Sequence, residues 1–214
     1  MTWVLAAGCA AAPDGPKPST TAAAPVGPQR VDPVNIERVR GALPAGYEVA
    51  AIAGPATPLA FWGLRPGWTA EPPRCGSLAD ALPDAPVTRG WSGSGEGGIV
   101  FAVVTGGGAP VDLDPSLTAE CGQWTVSSGQ TSASVGLVDA PTIDGAATVG
   151  MATETLTVVE GGTETRSHAD TFTAYLGEYV AVVTVVTDPG SPHPAIGPQF
   201  AAGLLVKTVS ALRG

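Results

Sequence analysis

Lysine is almost missing from this chain, with only Lys17 and Lys207 in 214 residues. Ten basic side chains stand against nineteen acidic ones, a net charge of −9. That balance argues against nucleic acid and anionic lipid surfaces as partners, because both need clustered Lys and Arg. Charge of either sign is scarce, at 14% of residues. No stretch reaches the roughly 20 apolar residues of a membrane span. Cysteine is confined to Cys9, Cys75 and Cys121, with no C-x-x-C pair, so structural zinc and thioredoxin-like chemistry have no support. Composition also excludes coiled coils and collagen. What the chain does contain is 29 glycines and 21 prolines, which predict many turns, and 44% hydrophobic residues, enough for a core. At roughly 100–200 residues per domain, one domain with a tail is expected.

The start, Met1-Thr-Trp-Val-Leu-Ala-Ala-Gly-Cys9, places small residues directly before a cysteine and after an apolar run. It resembles the lipobox of bacterial lipoproteins, in which cleavage leaves the cysteine as a lipid-bearing N-terminus. Residues 1–9 are therefore read as a partial signal peptide with Cys9 as the lipidation site, carrying acyl chains such as palmitate. A full signal peptide has a basic start and about 7–15 apolar residues; a start codon lying upstream is one explanation for the shortfall. The alternative is a short N-terminus with a free thiol. Residues 10–31 are rich in Ala, Pro, Ser and Thr, with five prolines. That composition cannot bury enough apolar surface to offset the entropy of ordering. A semi-extended tether is expected, long enough to hold residues 32–213 clear of a bilayer.

Cys75 and Cys121 lie 46 residues apart in the remaining part of the chain. In an exported protein they are most simply a disulfide; in a cytosolic one they would be two buried thiols. The periodicities predict an α+β single domain. Residues 31–43 read as a helix capped by Asp32, with Ile36, Val39 and Leu43 on one face. Residues 99–105 and 178–187 are apolar on both faces, as expected of central strands. Residues 122–127 and 131–138 read as one hairpin. Residues 153–160 and 163–176 read as another, turning on Gly161-Gly162. That register sets Thr153, Thr155, Thr157, Glu164, Arg166, His168 and Asp170 on one solvated face. A last helix starts near Pro198, with Phe200, Leu204, Leu205, Val209 and Leu212 in a stripe. The expected architecture is a mainly antiparallel sheet with the N- and C-terminal helices packed on one face.

Together the lipobox-like Cys9, the tether, Pro-Pro-Arg-Cys75, Gly-Gly-Ile-Val-Phe-Ala-Val-Val104, Cys121-Gly-Gln-Trp124 and Tyr179-Val-Ala-Val-Val183 resemble secreted mycobacterial lipoproteins classed as domains of unknown function. They are also similar to the extracellular sensor domain of a mycobacterial Ser/Thr kinase. That resemblance implies a cleft over a sheet and, in the kinase domain, two disulfides, where Cys75 and Cys121 allow one here. It brings no catalytic residues.

Few residues suggest chemistry. Gly93-Ser-Gly95-Glu-Gly-Gly98 has G-x-G-x-x-G spacing, but a dinucleotide site needs a helix after it. A strand follows instead, so a hairpin loop is expected. His168 and Asp170 could pair a base with an orienting carboxylate; solvated charges on a sheet are the commoner arrangement. His193 has no evident partner. Asp112 and Asp114 are too few for a calcium loop. Phe61, Trp62 and Trp68 border proline-rich loops and are read as a groove for an apolar or glycan ligand, or else as core. The resulting expectation has no catalytic residues, no cofactor and no metal. It is a secreted protein anchored to the cell membrane by lipid, with a domain that binds a ligand or partner. The alternative is a structural or assembly factor docking another envelope protein through the threonine face, and an envelope hydrolase ranks last.

Overall fold

The computed structural model describes residues 1, 30–52, 56–188 and 190–214. Cys9 and most of the tether lie outside the described residues. Nine strands run β1 (Glu48–Ala51), β2 (Thr69–Glu71), β3 (Val87–Gly95), β4 (Gly98–Gly106), β5 (Gln123–Ser128), β6 (Thr131–Val138), β7 (Ala147–Val158), β8 (Glu164–Tyr175) and β9 (Tyr179–Thr187). The α-helices are α1 (Pro58–Phe61), α2 (Pro115–Glu120) and α3 (Pro198–Arg213). Pro33–Ala42 and Pro73–Leu78 form 3-10 helices. The strands make one antiparallel sheet in the order β1-β3-β4-β9-β8-β7-β6-β5-β2.

Both terminal helices pack on one face, as the apolar spacing predicts. Ile36 and Val39 join Leu204, Leu205, Val209 and Leu212 over Trp91, Val100, Phe172 and Val183. The Trp91 indole N–H donates to the Ile36 carbonyl at 3.0 Å, pinning the N-terminal helix to the sheet. That segment is a 3-10 helix rather than an α-helix. Its buried residues fall three apart, the repeat of three residues per turn. Asp32 caps it through Val34 N–H, and the Asp32 N–H also donates to Leu212 O at 2.8 Å. The domain therefore begins beside its own C-terminus.

The other face is covered by the segment carrying α1, the second 3-10 helix and α2. Cys75 and Cys121 are joined by a disulfide, and a second core forms around it from Leu59, Trp62, Leu78, Trp124, Val126 and Met151. Residues 69–71 form the edge strand β2 on β5.

The β7–β8 register corrects the expected solvated threonine face. Gly161 and Gly162 do take positive φ, 87° and 80°, but the Val159 N–H closes the turn on Thr163 O, leaving three residues in the loop. Thr155 then pairs with Ser167 and Glu154 with His168. A slip of one residue moves every side chain to the opposite face. Thr153 and Thr155 are buried on the disulfide side, whereas Glu164, Arg166, His168 and Asp170 stay on the helix side. Thr153, Thr155 and Thr157 therefore do not share a face with Glu164, Arg166, His168 and Asp170.

Candidate functional site

Residues 78–86 leave the second 3-10 helix and pass back over the sheet toward β3. Between this segment, residues 56–58 at the start of α1, and the sheet lies a cleft of about 340 Å³. Ligand sites start at about 300 Å³, so the cleft is large enough for a small molecule. Its floor is built from Thr88 of β3, Thr105 of β4, Val180 and Val182 of β9, and Thr173 of β8. The opposite wall is Ala, Leu and Pro, with Asp80 among them.

Two polar atoms in the cleft wall lack partners. Thr173 is 1% exposed, and its Oγ1 has no hydrogen bond. Asp80 Oδ1 is buried and likewise unpartnered. Burial raises the Asp80 carboxyl above the usual range, and the neighbouring Asp84 carboxylate raises it further. Both belong to residues that line the cleft, and buried polar groups are nearly always paired in native proteins. The Cys75–Cys121 bond sets the wall in position, because Cys75 lies in the 3-10 helix that launches residues 78–86. Arg74 beside it reaches Glu120 at 2.6 Å, Ser116 at 2.8 Å and Asp114 at 3.2 Å, clamping α2 to the same helix. Asp114 caps α2 through Ser116 N–H, a bond that, with Arg74, holds its carboxyl below the ordinary value. Asp114 is thereby occupied as a structural cap.

None of Phe61, Trp62 and Trp68 lines this cleft. Phe61 stacks on Phe101 with ring centroids 4.1 Å apart. Trp62 is 2% exposed, tilted against Trp124, and its indole N–H donates to Thr171 Oγ1 at 3.1 Å. Trp68 lies half-buried over Gly76, where a Cβ would stand 2.6 Å from its ring. Phe61 and Trp62 thus anchor α1, whose first residues form the cleft rim. The resemblance implied a cleft over a sheet, but none of the residues that line this one was singled out from sequence as part of a site. The available signal was Asp80, a lone acid in the apolar run Leu78 to Leu82.

The other candidates are tied up structurally. Gly95 pairs with Gly98, so the glycine-rich segment is the β3–β4 hairpin. His193 Nδ1 lies 3.7 Å from Glu96 Oε2. His168 Nδ1 lies 2.6 Å from Glu154 Oε1 and its Nε2 lies 3.2 Å from Asp170 Oδ1. Its pKa is pushed up to about 9, first by Asp170 and then by Glu154, against partial desolvation. At neutral pH it is an imidazolium with both N–H groups committed, and has no lone pair to act as a general base. Among the described residues no group of three or more His, Cys, Asp or Glu is placed to hold a metal ion, and no helix is long and apolar enough to cross a membrane. The disulfide fits an oxidising, extracytoplasmic compartment.

The fold is similar to the X-ray structure of an uncharacterized protein from Mycobacterium smegmatis, the Rv0999 ortholog. The TM-score is 0.63 at 22% sequence identity, over 86% of this chain and 98% of that one; the likeness is one of fold. No curated protein matches the sequence. The same α+β unit that the sheet, the terminal helices and the disulfide delimit is matched from residue 32 to residue 213 by the family model described as Domain of unknown function (DUF5642), and the chain belongs to that family.

Proposed function

We propose that this is a lipid-anchored protein of the cell envelope whose domain binds a small ligand without transforming it. The observation that carries the reading is the cleft of about 340 Å³ under residues 78–86, with Thr173 Oγ1 and Asp80 Oδ1 left unpartnered in its walls. The lining mixes apolar side chains with four threonines and one carboxylate, and ligand sites combine apolar surface with a small number of polar groups. Trp62 and Phe61 support it by holding α1 on the sheet. The commitment of His168 to two carboxylates supports a binding role over hydrolysis. Cys9, followed by the proline-rich tether, supplies the anchor, and the disulfide is consistent with export.

The ligand reading is tested by purifying the protein from a mycobacterial host and identifying co-eluting small molecules by mass spectrometry, beside Ala81→Trp, which fills the cleft. A molecule that accompanies the wild type and is lost from the variant is expected. A clean wild-type preparation, or the same molecules on both proteins, refutes it. The anchor is tested separately with a fatty-acid probe on a chain carrying its native upstream region. Label should disappear with Cys9→Ala; label that persists removes Cys9 as the site.

A further inference from the structure

We propose that the cleft selects a small ligand with an apolar body and a single cationic amino head, which Asp80 receives. This rests on the ligand-binding reading and adds the chemical class. The cleft is lined by Ala, Leu, Pro and Val, four threonines and Asp80, with no Lys, Arg or His among them. An anionic head would meet no counter-charge and would be repelled by Asp80 and the nearby Asp84. No aromatic residue lines the walls either, so a sugar ring has no flat surface to stack on. The apolar walls suit a hydrocarbon body instead.

The need for a donor comes from the protein side. Asp80 makes no ion pair among the described residues, and its Oδ1 is buried without a hydrogen bond. Burial, then Asp84, disfavours its charged form. A half-buried carboxylate with one buried, unpaired oxygen is relieved by a cation with N–H donors. An ammonium carries three donors and no acceptor, a match for one carboxylate and hydroxyls lining the same cleft. Thr173 stands on the cleft floor; the residue is 1% exposed and its hydroxyl is also unpartnered. Thr105 and Thr88, on the neighbouring strands β4 and β3, line the same floor. The overall charge of −9 further favours cations at long range.

The test uses the full 214-residue chain and three probes of equal chain length: n-hexylammonium, n-hexanol and n-hexanoate, titrated by calorimetry at neutral pH. Hexylammonium should bind about tenfold tighter than hexanol, with hexanoate weakest. Asp80→Asn should bring hexylammonium down to the affinity of hexanol, and Ala81→Trp should abolish binding. The wild type alone gives a second readout should Asp80→Asn fail to fold. Its ammonium affinity should fall on acidification as Asp80 takes up a proton, while its alcohol affinity holds. Equal binding of all three probes to the wild type, displaced by Ala81→Trp, overturns the cationic class and leaves the binding cleft standing. Hexylammonium binding that ignores Ala81→Trp, or no binding of any probe at millimolar concentration, overturns the proposal outright.

Discussion

Glu154 and His168 stand directly opposite each other across β7 and β8, and their side chains meet at 2.6 Å. The imidazole is held on its other nitrogen by Asp170, a carboxylate that is itself buried. Together they raise the His168 pKa from 6.5 to about 9. A histidine whose folded pKa is raised contributes stability that is fully present below about 6.5, its unfolded value. That contribution is lost as pH rises through about 9. The unfolding midpoint should therefore fall between pH 6.5 and pH 10, and His168→Gln should flatten this slope. Titration of the His168 ring by NMR gives the midpoint directly. A value near 6.5 would show that the two carboxylates do not hold the proton.

The same pair shows what a sequence can and cannot disclose. The apolar runs of β4 and β9, the stripe of α3 and the glycine pair at 161–162 are local signals, and each marks its element. Register is not local in that sense. It turned on whether Val159 or Glu160 closes the loop with Thr163, and the side chains of those residues carry no preference strong enough to decide. One residue of slip then separated Thr153 from Arg166. The N-terminal segment carried a helical cap and apolar spacing, but Ile36 and Val39 fit three residues per turn as well as 3.6. The cleft was the least legible feature. It exists because residues 78–86 cross over strands more distant in the chain, up to Thr173 and Val182, and no window of sequence contains both walls.

Asp80 carries a second pH dependence, of opposite origin and independent of any ligand. Its folded pKa is raised, so the folded state holds the proton more tightly than the unfolded state does. Stability from this group is greatest below its unfolded value, near pH 4, and declines as pH rises through the folded value. At neutral pH the carboxylate is a net cost to the empty protein. Asp80→Asn should raise the unfolding temperature at pH 7 and lose that advantage as the pH approaches 4. Thermal scans of both proteins across this range suffice. A variant less stable than the wild type at pH 7 would mean that the carboxylate is already satisfied.

The Cys75–Cys121 bond closes a loop of 46 residues, for which the chain-entropy model gives about 4 kcal/mol of stabilisation. The loop includes residues 78–86 of the cleft wall and β3–β4. Replacing both cysteines with alanine should lower the urea midpoint accordingly and loosen residues 78–86. Hydrogen exchange should quicken there before it quickens in β9, which sits in the middle of the sheet. Uniform exchange changes across the domain, or a stability loss below about 1 kcal/mol, would show that the bond does not organise this wall.

The Trp62 indole N–H, Thr171 and Thr184 form a buried relay. The indole donates to Thr171 Oγ1 at 3.1 Å, and the two hydroxyls lie 3.0 Å apart across β8 and β9. Beside the packing of Leu59, Phe61 and Trp62, this relay ties the end of α1 to the sheet and with it the rim of the cleft. Thr171→Val keeps the shape but strands the indole N–H, and should cost about 1–3 kcal/mol. Trp62→Phe removes the donor together with part of the ring, at a cost of the same order or more. Because the two residues share one hydrogen bond, the double variant should lose clearly less than the sum of the single losses. Urea unfolding of the four proteins closes the cycle. Strict additivity would show that the bond contributes nothing, and that shape alone seats α1.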